Sequence, residues 1–323
     1  MTSTIDESAT GAVTAALLDA VAPIIGPGAR FEQRPEALDT SYGPATFGFR
    51  LAGEDLPDGW DRPLVVRVPD GEAGSGSGSD TSLEAEAAAL AFCGRNGIAA
   101  PDALALLAAS DLGLAALVTS RPTGAGMLEL IGAAPERTNT LLKALAEQQA
   151  ALHACPLDDV GVPALALDER IAEVERGPAD LAKETAWLRA NVPAAATSVL
   201  CHGYLQPLVA SGDPGVGEPL TIRNWARAVV AEPEYDLAMT VLAFWSAPFY
   251  AGTRSERAGL KMIRDMLANL YQGSYEAVRP LDAARLRYWQ AYHAVRGMAD
   301  PATPTDLVPA LRKRFKKLAS GGS

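Results

Sequence analysis

The apolar positions of the chain change period twice. Gly11 to Ile25 repeats at helical spacing and reads as a short amphipathic helix. Three extended runs follow, Arg30 to Arg34, Ala45 to Ala52 and Pro63 to Val68, cut apart by Gly, Pro and Asp. Pro-Leu-Val-Val-Arg-Val-Pro, beginning at Pro63, is the clearest strand. Gly71 to Asp80 is a polar Gly/Ser loop. Thr81-Ser82-Leu83 offers an N-cap for a helix through about Arg95, and Asp102 to Ala108 and Leu112 to Ser120 read as two more strands. From Gly124 onward the period is almost entirely helical. Helices fit Leu141–His153, Leu167–Arg176, Ala179–Ala190, Tyr235–Trp245, Gly259–Gln272, Asp282–Arg296 and Leu307–Leu318. One extended, loop-rich island, Ser198 to Trp225, interrupts them.

This pattern predicts an α+β chain in two lobes. Residues 1–122 form a small mixed β-sheet with one inserted helix, and residues 123–323 form a larger, mainly helical part that carries the island. The island is where chemistry is expected, because loops on a helical scaffold can aim side chains.

Composition narrows the field. The chain has 323 residues, enough for a full core, and a formal charge of −11. That balance argues against a sequence-independent nucleic-acid binder and against a polybasic membrane-surface protein. No segment supplies the ~20 apolar residues a membrane span requires. Asp6 and Glu7, with no basic region before them, do not read as a secretory signal. Cys93, Cys155 and Cys201 are an odd number without metal-ligand spacing, so a reducing cytoplasm is the expected compartment. The three histidines leave no room for a three-imidazole zinc site alongside any other use of His. Abundant Ala, and Arg over Lys, look like a high-GC bacterial background.

Three pieces of the island region carry the functional signal. They are Leu200-Cys201-His202-Gly203-Tyr204-Leu205-Gln206-Pro207-Leu208-Val209, then Ile222-Arg223-Asn224-Trp225, then Glu232-Pro233-Glu234-Tyr235-Asp236-Leu237-Ala238. In this order and spacing they resemble the aminoglycoside phosphotransferase and choline kinase group, which has a protein-kinase-like fold. The resemblance implies that Arg67 stands on the third strand where a basic residue meets nucleotide phosphates, with Glu86 as its helix-borne partner. It implies that Leu117 to Gly124 is the hinge strand, that Leu152-His153 ends the long helix, and that His202 supports the loop. By the same resemblance the nucleotide lid corresponds to the turn Asp39 to Gly48, which does not match a kinase Gly-rich loop. The late-helix residues Trp289, Tyr292 and His293 could border an acceptor pocket, with core packing as the alternative.

The departures from the family pattern are chemical. By the resemblance, the catalytic Asp falls on Tyr204, the metal-binding Asn on Val209, the second metal ligand on Asn224 and the loop's second His on Gln206. A tyrosine with a pKa near ~10 is a poor base at neutral pH. Valine ligates no metal, and Asn offers only a neutral carbonyl to a hard divalent cation. Asp213 and Glu218 lie in what reads as a solvent hairpin, and Asp236 is expected to fix the loop or cap a helix. Arg223, placed on a strand with Asn224, is expected to need a carboxylate or solvent.

The expectation is therefore a kinase-like chain that has lost ordinary magnesium–ATP phosphoryl transfer. ATP and magnesium are not expected to be used in the standard way, and no metal is expected. The inter-lobe cleft would be repurposed for a small organic ligand, with a protein partner also conceivable. Catalysis would be metal-free, a cyclase- or isomerase-type step in small-molecule or secondary metabolism. Tyr204 would act as donor or acid, with Asn224 and Gln206 orienting a polar group, and Arg67, Glu86, His202, Trp289, Tyr292 and His293 around the ligand. The alternatives are a non-catalytic pseudokinase-like binding or regulatory module, and a residual small-molecule phosphotransferase.

Overall fold

Alternation along the strands decides which side chains face which layer. In the computed structural model, which describes residues 7–38, 45–68, 83–108, 115–158, 160–177, 180–246 and 254–321, five strands form one sheet. They are β1 (Arg30–Ala37), β2 (Thr46–Ala52), β3 (Leu64–Arg67), β4 (Ala103–Leu107) and β5 (Ala116–Ser120). The spatial order is β1-β2-β3-β5-β4, and every neighbouring pair is antiparallel, so the expected mixed sheet is a purely antiparallel one. β3 and β4 flank β5 and so run parallel to each other, and the one inserted helix, α2 (Leu83–Arg95), makes the crossover between them.

Leu64 and Val66 point to one face, where they pack with Phe47, Phe49, Val118 and with Leu17 and Val21 of α1 (Glu7–Ile25). Val65 and Arg67 therefore point to the other face. There the register sets Arg67 beside Thr46 and Leu117, and Val65 beside Thr119. Helix α2 lies against β4 and β5 and brings Glu86 to Arg67. Residues 39–44 of the lid turn, the Gly71–Asp80 loop and the Thr81-Ser82 cap lie outside the described residues.

The chain groups into two units that are not contiguous in sequence. Among the described residues, the first takes 7–38, 45–68, 83–108, 115–130 and 208–226, and the second takes 131–158, 160–177, 180–207, 227–246 and 254–321. The hairpin of β7 (Ala210–Ser211) and β8 (Thr221–Ile222) thus belongs with the sheet. It is held there by Ile222 N–H on the Ala99 carbonyl (2.9 Å) and Gly212 N–H on the Ala125 carbonyl (3.0 Å). Nearby runs α3 (Met127–Ala133), a short helix that periodicity did not separate from the Gly124 region.

The second unit is built from α4 (Thr138–Ala154), α5 (Leu167–Arg176), α6 (Ala182–Ala190), α7 (Pro233–Ser246), α8 (Arg254–Glu276), α9 (Ala283–Ala299) and α10 (Val308–Ala319). Helix α7 packs on both α8 and α9, and α4 on α8. One two-stranded ribbon interrupts the helices. β6 (Val199–Cys201) pairs with β9 (Val229–Ala231), a strand beyond the end of the sequence-read island. This ribbon delivers the loop at 202–206 next to the first turn of α7. Among the described residues, no helix is long and apolar enough to cross a membrane.

Candidate functional site

The loop after β6 is held by one carboxylate. Asp236, in the first turn of α7 and fully buried, accepts from the backbone N–H of Gly203 (2.7 Å) and of His202 (3.1 Å). It also accepts from Gln149 Nε2 (3.1 Å) and sits 3.1 Å from His153 Nε2. Nδ1 of the same ring lies 2.6 Å from the Tyr275 hydroxyl. The Tyr271 hydroxyl donates to Gln149 Oε1 (3.0 Å), which turns the Gln149 amide nitrogen toward Asp236. Burial by itself would raise the Asp236 carboxyl. The hydrogen bond and charge of His153, with His202 and Gln149, outweigh that and hold it at about 2. Asp236 is thus a fixed anion that orders the loop, as the sequence suggested, and its oxygens are already occupied.

Gly203 lets the loop close. Its φ of +78° is left-handed, and a Cβ there would lie 2.1 Å from the Arg227 carbonyl oxygen. Gly203→Ala is expected to cost about 1–3 kcal/mol through backbone strain and overpacking, read as a drop in the urea midpoint. An unchanged midpoint would mean that the loop gives way easily.

Tyr204 follows directly. Its N–H donates to His202 Nδ1 (3.2 Å), so the buried His202 ring carries its proton on Nε2 and works as a loop support. The Tyr204 ring is half-buried, and the Arg227 guanidinium stands over it, 4.7 Å from the centroid. Gln206 is half-buried on the same loop. Tyr204 and Gln206 are therefore brought together by the second unit.

Asn224 and Val209 belong to the first unit. Strand β8 ends at Ile222, so neither Arg223 nor Asn224 is on a strand, contrary to the sequence reading. Asn224 has φ +60°, a left-handed conformation that Asn tolerates better than most side chains. Arg223 is buried, and it donates to the Leu208 carbonyl (3.0 Å). The group expected to need a carboxylate or solvent thus meets a backbone carbonyl. Val209 is 1% exposed, and its carbonyl accepts from Arg223 N–H at 2.8 Å.

On the polar face of the sheet, Arg67 and Glu86 form a buried ion pair. Arg67 Nε and Nη2 both approach Glu86 Oε2, at 2.7 Å and 2.5 Å. Thr46, Thr119 and Asn224 line a small cavity with them. Its volume is about 30 Å³, room for water beside the ion pair.

The late-helix residues are core. Trp289, Tyr292 and His293 are 4%, 1% and 3% exposed, within an aromatic cluster around Tyr235. Trp289 Nε1 donates to Glu232 (2.8 Å), and His293 Nε2 meets the Tyr235 carbonyl (2.9 Å). Trp289 and His293 turn these polar atoms to protein partners, while the Tyr292 hydroxyl is buried without a hydrogen bond, so ligand contact through any of them would require the cluster to open.

Among the described residues, one group of metal-ligand type lies close together: His153, Cys201 and Asp236, within 4.8 Å. Its donors are spent on each other and on the loop. Burial pushes the Cys201 thiol well above its ordinary range, with the Asp236 charge adding to it, so the neutral thiol is the form this site holds. Asp213 accepts from Gly215 N–H (2.8 Å) and caps its own turn, while Glu218 is exposed. In the first unit Val209 is buried and apolar and Asn224 is neutral, so neither offers an anionic oxygen to a divalent cation; in the second unit Asp236 is engaged by the loop.

Residues 57–207 match the model of the phosphotransferase enzyme family. A protein of Ralstonia eutropha assigned as an aminoglycoside phosphotransferase is 15% identical, with a TM-score of 0.65 over 96% of this chain and 99% of its own. A choline/ethanolamine kinase family protein from Mesorhizobium loti is 18% identical, with a TM-score of 0.57 over 95% of this chain and 92% of its own. The chain has the protein-kinase-like fold of the aminoglycoside phosphotransferases and choline kinases. An aminoglycoside phosphotransferase from Streptomyces rimosus, solved with ADP and streptomycin, is 19% identical over 88% of this chain and 98% of its own, with a TM-score of 0.51. No curated protein matches this phosphotransferase-like chain in sequence. At such identities the likeness carries the fold, and the site must be argued from its own residues.

Proposed function

We propose that this phosphotransferase-like protein does not carry out ordinary magnesium–ATP phosphoryl transfer and instead acts on a small organic molecule at the Tyr204 loop. The observation that supports this reading is the fate of the acidic positions. Phosphoryl transfer requires a carboxylate at the attacking hydroxyl and oxygen ligands for the metal. Here those positions hold Tyr204, the buried Val209 and the left-handed Asn224, while Asp236 is saturated by donors. A phenol, a carboxamide and a guanidinium, on Tyr204, Gln206 and Arg227, suit a carbonyl, enolate or carboxylate. In that reading Tyr204 donates a hydrogen bond or a proton, and Gln206 orients a polar group of the substrate.

The burial of Val209 favours a second reading, a non-catalytic binding or regulatory module, because an apolar side chain packed at that position serves no polar chemistry. Turnover separates the two: Tyr204→Phe abolishes a metal-free reaction but leaves a regulatory effect on a partner intact.

Thermal unfolding of the full chain with ATP or GTP, with and without magnesium, tests the shared premise. A nucleotide at 100 times its Kd adds about 2.7 kcal/mol, which is readily seen. The expected result is no magnesium-dependent shift. A magnesium-dependent shift accompanied by nucleotide consumption would restore the phosphotransferase reading.

A further inference from the structure

Three tyrosine hydroxyls and a guanidinium gather in the second unit without acceptors. Tyr288, Tyr292 and Arg296 follow one another at four-residue steps on α9, so they share a face, and their side chains lean toward the helix N-terminus. The Arg296 guanidinium accordingly stands over the Tyr292 ring, 5.9 Å from its centroid. Tyr235, in the first turn of α7, packs across on Tyr292 with ring centroids 6.0 Å apart. All three tyrosines are buried. The Tyr288 and Tyr292 hydroxyls are enclosed and make no hydrogen bond, and the Tyr235 hydroxyl makes none to the described residues. Arg296 comes near the Tyr292 hydroxyl without a hydrogen bond of ordinary geometry. Its charge bears on both Tyr292 and Tyr235, and Tyr292 in turn on Tyr288, so the four groups form one cluster.

No carboxylate compensates this guanidinium. Among the described residues Arg296 makes no ion pair. The acids whose charge reaches it are otherwise engaged: Glu173 accepts from Arg170 (3.1 Å), and Asp300 accepts from the Ala302 N–H (2.8 Å). Glu232 and Asp168, which bear on Tyr288, are held by Arg285 (2.8 Å) and Arg189 (3.4 Å). Burial pushes all three phenols up, so they remain protonated donors. A buried donor without an acceptor is costly and native cores keep few of them, yet here four donating groups converge.

We infer that Tyr235, Tyr288, Tyr292 and Arg296 form a recognition site for an oxyanion, the carboxylate or phosphate group of a small metabolite. The hydroxyls each donate one hydrogen bond, and the guanidinium supplies the opposite charge. Arg296 and Trp187, whose ring stacks on Tyr288 at 6.2 Å, are half-buried and form the edge at which the cluster opens to admit the anion. A quaternary ammonium, which aromatic faces alone would attract, is repelled by Arg296. The site goes beyond the proposed function and does not rest on it, since no residue of the Tyr204 loop takes part.

The test is calorimetric titration of the full chain with inorganic phosphate, with acetate and with tetramethylammonium, at ionic strength matched with sodium chloride and without magnesium. Saturable binding of phosphate or acetate is expected, and the preferred anion tells which head group the site takes. Arg296→Ala should weaken that binding about tenfold or more, as for loss of a charge-assisted hydrogen bond. Arg296→Lys should weaken it less, and Tyr288→Phe and Tyr292→Phe severalfold each. Replacing the exposed Lys313, Lys316 and Lys317 together by Gln should change nothing. Without any anion, Tyr292→Phe should unfold at a urea midpoint no lower than wild type, because the hydroxyl it removes is unbonded. A clear drop would reveal an internal partner and overturn the site. If Arg296→Ala does not fold, the Lys and Phe variants decide. The inference is also overturned if neither anion binds saturably, if the Arg296 and tyrosine variants bind the anion as wild type, or if tetramethylammonium binds as well as the anions. These arms contain neither nucleotide nor metal. A magnesium-dependent ATP shift would therefore sink the proposed function and leave this site standing.

Discussion

Asp236→Ala is expected to destabilise the second unit by about 3–5 kcal/mol, the range for removing one member of a buried, hydrogen-bonded charge network. The reason is the number of partners left behind. The backbone N–H groups of His202 and Gly203, the Gln149 amide and the His153 ring all converge on this carboxylate. All four groups are buried, so none recovers its hydrogen bond from bulk water. Asp236→Asn keeps the size of the side chain but replaces one acceptor oxygen with a donor, so an intermediate loss is expected. Denaturant unfolding at neutral pH checks both. If Asp236→Ala unfolds within about 1 kcal/mol of wild type, the carboxylate is not the keystone of the loop, because such losses mark ordinary surface changes.

Acid stability should be governed from higher pH by His293. Burial, with the charge of Arg296 adding to it, lowers this ring from the ordinary 6.5 to about 3. The folded protein therefore holds His293 neutral while the unfolded chain protonates it. Below about pH 6.5 the unfolded state binds one proton more, and stability falls by about 1.4 kcal/mol per pH unit, reaching about 5 kcal/mol by pH 3. The contribution is fully restored above pH 6.5. Asp236 acts in a lower window. Its folded value, about 2 against an ordinary 3.8, means that its stabilisation is present above that ordinary value and is lost as the pH falls toward 2. Urea unfolding at pH 6.5, 6.0, 5.5 and 5.0 isolates the histidine term. Replacing His293 by Gln should lower stability at neutral pH, since the contact with the Tyr235 carbonyl changes, while reducing the slope by about one proton. An unchanged slope would place the acid sensitivity elsewhere.

Much of the fold was legible because its period was strong. Strands β2, β3 and β5 and helices α2 and α5 lie where short apolar runs bounded by turn residues and helical spacing put them. The family resemblance pointed to the pairing of Arg67 with Glu86 and to the structural use of Asp236, and both contacts are present. The misses were local or long-range. β7 and β8 are two residues each, too short for any period, so Arg223 and Asn224 were read as continuing a strand. Strand β9 escaped notice because its three residues are defined by pairing with β6, some thirty residues earlier in the chain.

For the candidate site, the sequence by itself determined which side chains occupy the loop positions. Tyr204, Val209 and Asn224 bring no carboxylate to these positions, and a hard divalent cation prefers anionic oxygen. Only the tertiary structure decided what stands there instead. The Arg227 guanidinium over Tyr204, the saturation of Asp236, the burial of Trp289, Tyr292 and His293, and the grouping of the 208–226 hairpin with the sheet all depend on segments far apart in the chain. Such contacts are chosen by packing and by the need to pair every buried polar group, and neither is written in the period of any one segment.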